Sequence, residues 1–250
     1  MALNEKLRKL WKAAGYDRGH GSDAVLPPAP KGFKRLYYLT GPEHAISNIV
    51  FSRLKISRFP ELNDPFELLG QNFSNKAVRK LIRDHRDSLN DKIGMVCFSE
   101  DWTDPVLWGH YAAKHRGVAL GFDVKDSLVE KVQYSSQRLK QKIPLGAKAI
   151  TPKMKDLLLY TKFESWSYER EWRLVHELDE AESEGSLYFL PISKTVKLVE
   201  VILGSLCDLD LPKMRKLVNS HHAGAMTYKA RLAYKSFRII PSGITVVQPS

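Results

Sequence analysis

The chain has 250 residues, of which 43% are hydrophobic and 10% aromatic. That is enough to bury a full core, and it excludes a disordered or fibrous protein. Its 39 Lys and Arg against 28 Asp and Glu leave a net charge of +11, a field that draws phosphate-bearing partners such as a nucleotide, a dinucleotide or a nucleic acid. Two cysteines without a secretory leader argue against a disulfide scaffold and for a reducing cytoplasm, and no apolar run approaches the roughly 18 residues of a membrane span.

The charge excess is local. Residues 1–36 hold eight basic and three acidic side chains and residues 194–250 hold nine and three, so the middle is nearly neutral. Leu3, Leu7, Leu10, Trp11 and Ala14 recur at helical spacing between Lys6, Arg8, Lys9 and Lys12, which predicts a basic amphipathic helix that docks on its own domain or meets a partner. Gly15, Gly19, Gly21, Pro27, Pro28 and Pro30 then read as a linker. The expected organisation is this helix and linker over 1–32 and one α+β domain over 33–250.

Phe33 to Thr40 has strand propensity, and Gly41-Pro42 starts a helix with Ile46, Ile49, Val50 and Leu54 on one stripe. A short strand at Leu54 to Ser57 leads into an ordered loop, Pro60 to Glu67, whose Asn63, Asp64 and Glu67 are either site residues or a structural Asx turn. A helix is expected from Ser74, and Ile93 to Ser99 reads as a strand that delivers Ser99-Glu100-Asp101 to a loop. Asp104-Pro105 starts a helix with a stripe of Leu107, Trp108, Tyr111 and Ala112, ended by Gly117. A strand from Gly117 to Asp123 follows, then a helix from Thr151-Pro152 through Phe163. Trp166 to Arg173 reads as a strand that puts Glu169, Glu171 and Arg173 on one face. Val199 to Gly204, a helix from Asp210 and closing strands between Thr227 and Pro241 complete the chain. Helices and strands mix irregularly without a fixed repeat, which suits an α+β fold with a mixed, mainly antiparallel sheet and flanking helices.

Two carboxylates held beside an Arg titrate apart, leaving one ionised while its neighbour does base or positioning work. Glu169 and Glu171 therefore lead the candidate catalytic residues, against the plainer alternative of an edge strand with surface charge. Ser99, without a G-x-S-x-G elbow, fits an orienting hydroxyl better than a nucleophile. His110 is either a rim histidine or a hydrogen-bond donor towards Ser99 and Glu100. Lys162, Tyr168 and Trp172 either frame a pocket or belong to the core. Neither a metal motif nor a Gly-rich phosphate loop is present, so no metal site is assigned.

Asn63-Asp-Pro-Phe-Glu67, Cys97-Phe-Ser-Glu100, Leu107-Trp-Gly-His-Tyr-Ala112 with His115 and Gly117, Leu120-Gly-Phe-Asp123 and Tyr168-Glu-Arg-Glu-Trp-Arg173 closely resemble a bacterial family. It is catalogued as the domain of unknown function numbered twenty-nine seventy-one, and the resemblance runs over about residues 35 to 240. The motif order is also similar to that of ADP-ribosyltransferase-type domains, with Arg35 early, Ser99 at a middle strand end and Glu169-x-Glu171 late. That likeness implies an ADP-ribosyltransferase-like fold and NAD as cofactor. Glu171 would stabilise the oxocarbenium-like ribose, Glu169 would orient or deprotonate the acceptor, and Ser99 would hold Glu171. Arg35, with Tyr38, His110 and Arg173, would bind cofactor. The transferase pattern often has Thr-Ser where this chain has Ser99-Glu100, and Lys34 or Tyr38 could replace Arg35.

The leading expectation is an NAD-dependent transferase or NAD glycohydrolase, a toxin or phage-defence effector with a protein or nucleic-acid acceptor and a neutralising partner protein. A metal-dependent nuclease or phosphodiesterase using Asp64, Glu100, Asp101, Glu169 and Glu171, with Lys162 on phosphate, is the second. A non-catalytic nucleotide- or nucleic-acid-binding module in the same cleft is the third.

Overall fold

A computed structural model of the protein describes residues 26–70, 75–139, 143, 147 and 149–242. The expected N-terminal helix, most of the linker and the expected helix start at Ser74 lie outside the described residues.

The elements are β1 (Phe33–Thr40), α1 (Pro42–Val50), β2 (Arg53–Ile56), α2 (Lys76–Asn90), β3 (Ile93–Ser99), α3 (Pro105–Tyr111), β4 (Val118–Lys125), β5 (Glu130–Lys131) and β6 (Gln133–Ser135). They continue with α4 (Pro152–Leu159), β7 (Thr161–Phe163), β8 (Glu171–Glu177), β9 (Glu182–Glu184), β10 (Leu187–Pro191), β11 (Val196–Leu203), α5 (Leu211–His221), β12 (Met226–Leu232) and β13 (Ile239–Pro241). The helix starts follow the expected chemistry. Asp104, Thr151 and Asp210 each accept a hydrogen bond from a first-turn backbone N–H, and each precedes a proline in the first two helical positions. At α2 the capping side chain is Asn75.

The main sheet runs in the order β13-β12-β11-β4-β1-β3-β8-β5 and is antiparallel except for β11 with β12. The fold is thus α+β with a mixed, mainly antiparallel sheet. At the centre of the sheet, β4 is buried from Val118 to Val124, because both of its faces are covered. Leu120 and Phe122 pack with Ile49 of α1 and Met214 and Val218 of α5. Ala119 packs with Trp102, Trp108 and Tyr228. A third cluster joins Met95 of β3 to Leu158 and Leu159 of α4. Among the described residues no helix is long and apolar enough to cross a membrane.

Two expectations are corrected. The helix from Thr151 ends at Leu159, and Thr161–Phe163 is a short strand paired in parallel with β6. Glu164–Glu169 is a 3-10 helix, Arg170 is left-handed with φ 45°, and the strand begins only at Glu171. Glu171 and Arg173 share a strand face, whereas Glu169 arrives from a different element. Within this turn only Glu169 is buried, and its carboxylate is met by Lys162 and Tyr111 from other elements, contacts that alternation along the chain does not reveal. A small second sheet, β2-β10-β9, also escaped the sequence reading.

Candidate functional site

The antiparallel register of β3 with β8 sets Ser99 opposite Glu171 and Cys97 opposite Arg173. Alternation then turns Cys97, Ser99, Glu171 and Arg173 to one side of the sheet. On that side lies a cavity of about 220 Å3, walled by Tyr37, Tyr38, Phe98 and Tyr111 and floored by Glu67, Lys162, Glu169 and Glu171.

The floor is a buried ion network. Arg173 holds Glu67 with both terminal nitrogens, at 2.9 and 2.6 Å, and donates from Nε to Glu171 Oε1 at 2.7 Å. A further bond to the Leu159 carbonyl fixes the guanidinium against the end of α4. Lys162 of β7 donates from Nζ to Glu169 Oε2 at 2.6 Å and to Glu171 Oε2 at 3.1 Å, and it lies 3.8 Å from Glu67. Tyr111 donates to the other oxygen of Glu169 and itself accepts from Asn63 Nδ2. The Glu171 N–H donates to the Tyr134 hydroxyl at 2.8 Å.

Three carboxylates thus face two cations, and the two key acids respond differently. Burial pushes Glu171 up, but the charges of Arg173 and Lys162 outweigh it and hold this carboxyl at about 2. Burial also pushes Glu169 up, Lys162 opposes that, and the neighbouring charge of Glu171 reinforces it. The net shift of Glu169 is upward. Glu67 is likewise raised by burial, against the pull of Arg173. Burial would lower Lys162, yet the three acids around it raise it, so the ammonium stays charged. Tyr111 is pushed up by burial and by Glu169 and remains a donor. Burial and Glu171 push the Cys97 thiol well up, which makes it a poor nucleophile.

The residues singled out from the sequence divide accordingly. Glu169, Glu171, Ser99 and Tyr38 line the cavity, and Arg173 locks its floor. Burial pushes the Tyr38 phenol up to about 12. The expected bond from Ser99 to Glu171 is not made: the Ser99 hydroxyl donates to the Asp101 carbonyl at 3.0 Å and accepts from the Asp101 N–H at 3.1 Å. The hydroxyl closes a turn instead, because the Asp101 backbone is the nearer partner. Arg35 is not part of the cavity wall, since its guanidinium is engaged by Asp123 and Glu200. His110 is exposed and meets the Tyr168 hydroxyl at 2.7 Å, outside the cavity wall.

The five acids of the nuclease reading are not gathered. Glu100 pairs with Lys131 and Trp172, and Asp101 with Arg170 and Arg238, while Asp64 accepts from the Phe66 N–H. Among the described residues no group of three or more His, Cys, Asp or Glu has metal-binding geometry.

Glu67, one of the residues left open between site and turn, belongs to the site. The sequence places Tyr111 only in a buried stripe, and Tyr134 carries no signal at all. Tyr111 could have been found from its place in α3, where a phenol at the margin of a buried stripe needs a polar partner.

Residues 107–174 match the model of a family described as "Protein of unknown function (DUF2971)". The family resemblance read from the motifs holds over that span, which contains Tyr111, Lys162, Glu169, Glu171 and Arg173. No curated protein and no solved structure matches the chain.

Proposed function

We propose that the cavity cleaves the bond between nicotinamide and ribose in NAD and passes the ADP-ribosyl group to an acceptor or to water. The observation that supports this reading is the charge count on the cavity floor: Glu67, Glu169 and Glu171 against Lys162 and Arg173. With every acid ionised the floor carries one surplus negative charge beneath aromatic walls, which suits a pyridinium and the positive charge that develops on ribose as it leaves. NAD enters as substrate. Pockets for drug-sized ligands hold about 300–1,000 Å3, so a 220 Å3 cavity admits the nicotinamide riboside half and leaves the adenosine half outside.

The bond from the ribose C1′ to the pyridinium nitrogen breaks, its electron pair neutralises the ring, and nicotinamide departs. In the same step an acceptor oxygen or nitrogen bonds to C1′ and gives its proton to Glu169, so the base acts in the step that releases nicotinamide. Glu169 is the better base of the pair because its raised affinity for a proton matches that task, whereas Glu171 at about 2 remains an anion throughout. Lys162 and Tyr111 position Glu169 through its two oxygens.

The test is nicotinamide release from labelled NAD, with cell lysate supplying acceptors. Wild type should release it, and Glu169→Gln should slow release by about 10²- to 10⁴-fold with an unchanged far-UV circular dichroism spectrum. Release by the variant at the wild-type rate, or none by wild type, would sink the proposal. A second reading, a binding module without chemistry, is favoured by one observation: every charge of the floor already has a protein partner. It predicts that NAD raises the melting temperature and is recovered intact.

A further inference from the structure

Lys162 lines a second cavity as well, of about 270 Å3, whose other walls include Asp64, Phe66, Arg138, Thr161 and Phe163. Phe66 and Phe163 are 51% and 47% exposed, two large rings in contact with water at one small cavity. The Arg138 guanidinium lies 5.1 Å from the centre of the Phe66 ring and donates to the Leu69 carbonyl at 3.1 Å, so a cation is tethered beside an aromatic face. Exposed Ser136 and Gln137 add polar groups along the same wall.

We propose that this second cavity takes one unpaired base of a single-stranded nucleic acid, stacked on Phe66 and Phe163 with an adjoining phosphate at Arg138. Aromatic faces with an interleaved Arg are the general means of holding single strands, since every base has a flat face and every linkage a charge. A base stacked in a duplex has both faces covered by its neighbours, so only an unpaired one can lie against these rings. The chain's +11 charge supplies the long-range attraction. Because Lys162 borders both cavities, a base held here sits across one side chain from Glu169. Calling that base the acceptor rests on the reading of the first cavity; its binding does not.

Fluorescence anisotropy of short labelled RNA and DNA strands on the full chain tests the inference without NAD. Single strands should bind at least about tenfold more tightly than the matching duplex. Phe66→Ala and Phe163→Ala should each weaken binding about tenfold, Phe163→Tyr should restore it, and Arg138→Gln should lower the salt dependence by about one ion. Binding that ignores both ring deletions, equal affinity for duplex, or AMP binding as tightly as the strand would overturn it. Strand binding that persists while wild type releases no nicotinamide would remove the first cavity's reading alone. Nicotinamide release with no strand binding would remove this one alone.

Discussion

Among the described residues two clusters of buried charge sit on this sheet, and one of them floors the 220 Å3 cavity while the other lines neither cavity described above. Around Arg35, Asp123 accepts from Nε at 2.6 Å and from Nη2 at 3.2 Å, Glu200 accepts from Nη1 at 3.0 Å, and Tyr228 donates to Glu200 at 2.7 Å. This cluster ties β1, β4, β11 and β12 together, and Gly121 between them has no room for a side chain: a Cβ would lie 2.9 Å from that of Glu200. Around Glu171 the same ingredients recur, with one more carboxylate than cations and a tyrosine hydroxyl on the raised acid. Neither cavity is lined by Arg35, Asp123 or Glu200. An excess of buried negative charge is therefore compatible with a strut as well as a site, and access to a ligand-sized space separates the two.

The comparison can be broken most forcefully at Arg173. Arg173→Met strands Glu67 and Glu171 in the interior and should cost about 3–5 kcal/mol of stability, read from the denaturant midpoint. If the midpoint stays put, the floor is far better solvated than its burial indicates. Glu200→Gln, which keeps the shape of the strut, should cost about 1–3 kcal/mol and leave nicotinamide release at the wild-type rate. A parallel loss of release would mean that the two clusters act as one.

Acid titration sharpens the contrast. The carboxyl of Glu171 is depressed to about 2 in the fold, so its stabilisation is present above the unfolded value near 4.5 and is lost as pH falls towards 2. Glu200 is raised by burial against the pull of Tyr228 and Arg35, so its contribution is present below the unfolded value and is lost as pH rises through the folded one. Thermal melts across the acid range should then show wild type gaining on Glu171→Gln as pH increases and losing ground to Glu200→Gln. Slopes of the same sign would refute the assignment. The smallest effect belongs to Phe163→Ala, which should change stability by no more than about 0.5 kcal/mol, because the ring it removes is half exposed.

Much of this architecture was legible. Helix starts at Asp104, Thr151 and Asp210 announced themselves because an oxygen-bearing cap with a proline just inside the helix has few other uses. The apolar run of β3 followed from strand propensity and alternation, whereas its register with β8, which sets Ser99 opposite Glu171, lies between segments more than 70 residues apart and has no local signal. What stayed hidden depends on contacts distant in sequence. Arg35 looked like a phosphate ligand because its two acids lie 88 and 165 residues away. Lys162 was placed at the end of a helix, since nothing local marks Tyr160 as its stop, and only the pairing of β7 with β6 turns the ammonium towards the acids. Tyr134 was silent because a single phenol in a short edge segment has no periodicity to betray it.

The left-handed residue between the two acids carries a lesson for recognising such sites elsewhere. In a regular strand, alternate residues stand on one face about 6.6 Å apart, but here the two acids come from different elements. At Arg170 the backbone folds back on itself, and a spacing that looks like a ladder rung becomes a pincer closing on Lys162. The grip on Lys162 thus comes from a 3-10 helix and a strand meeting at one left-handed residue, and the letters Glu-x-Glu alone do not specify it.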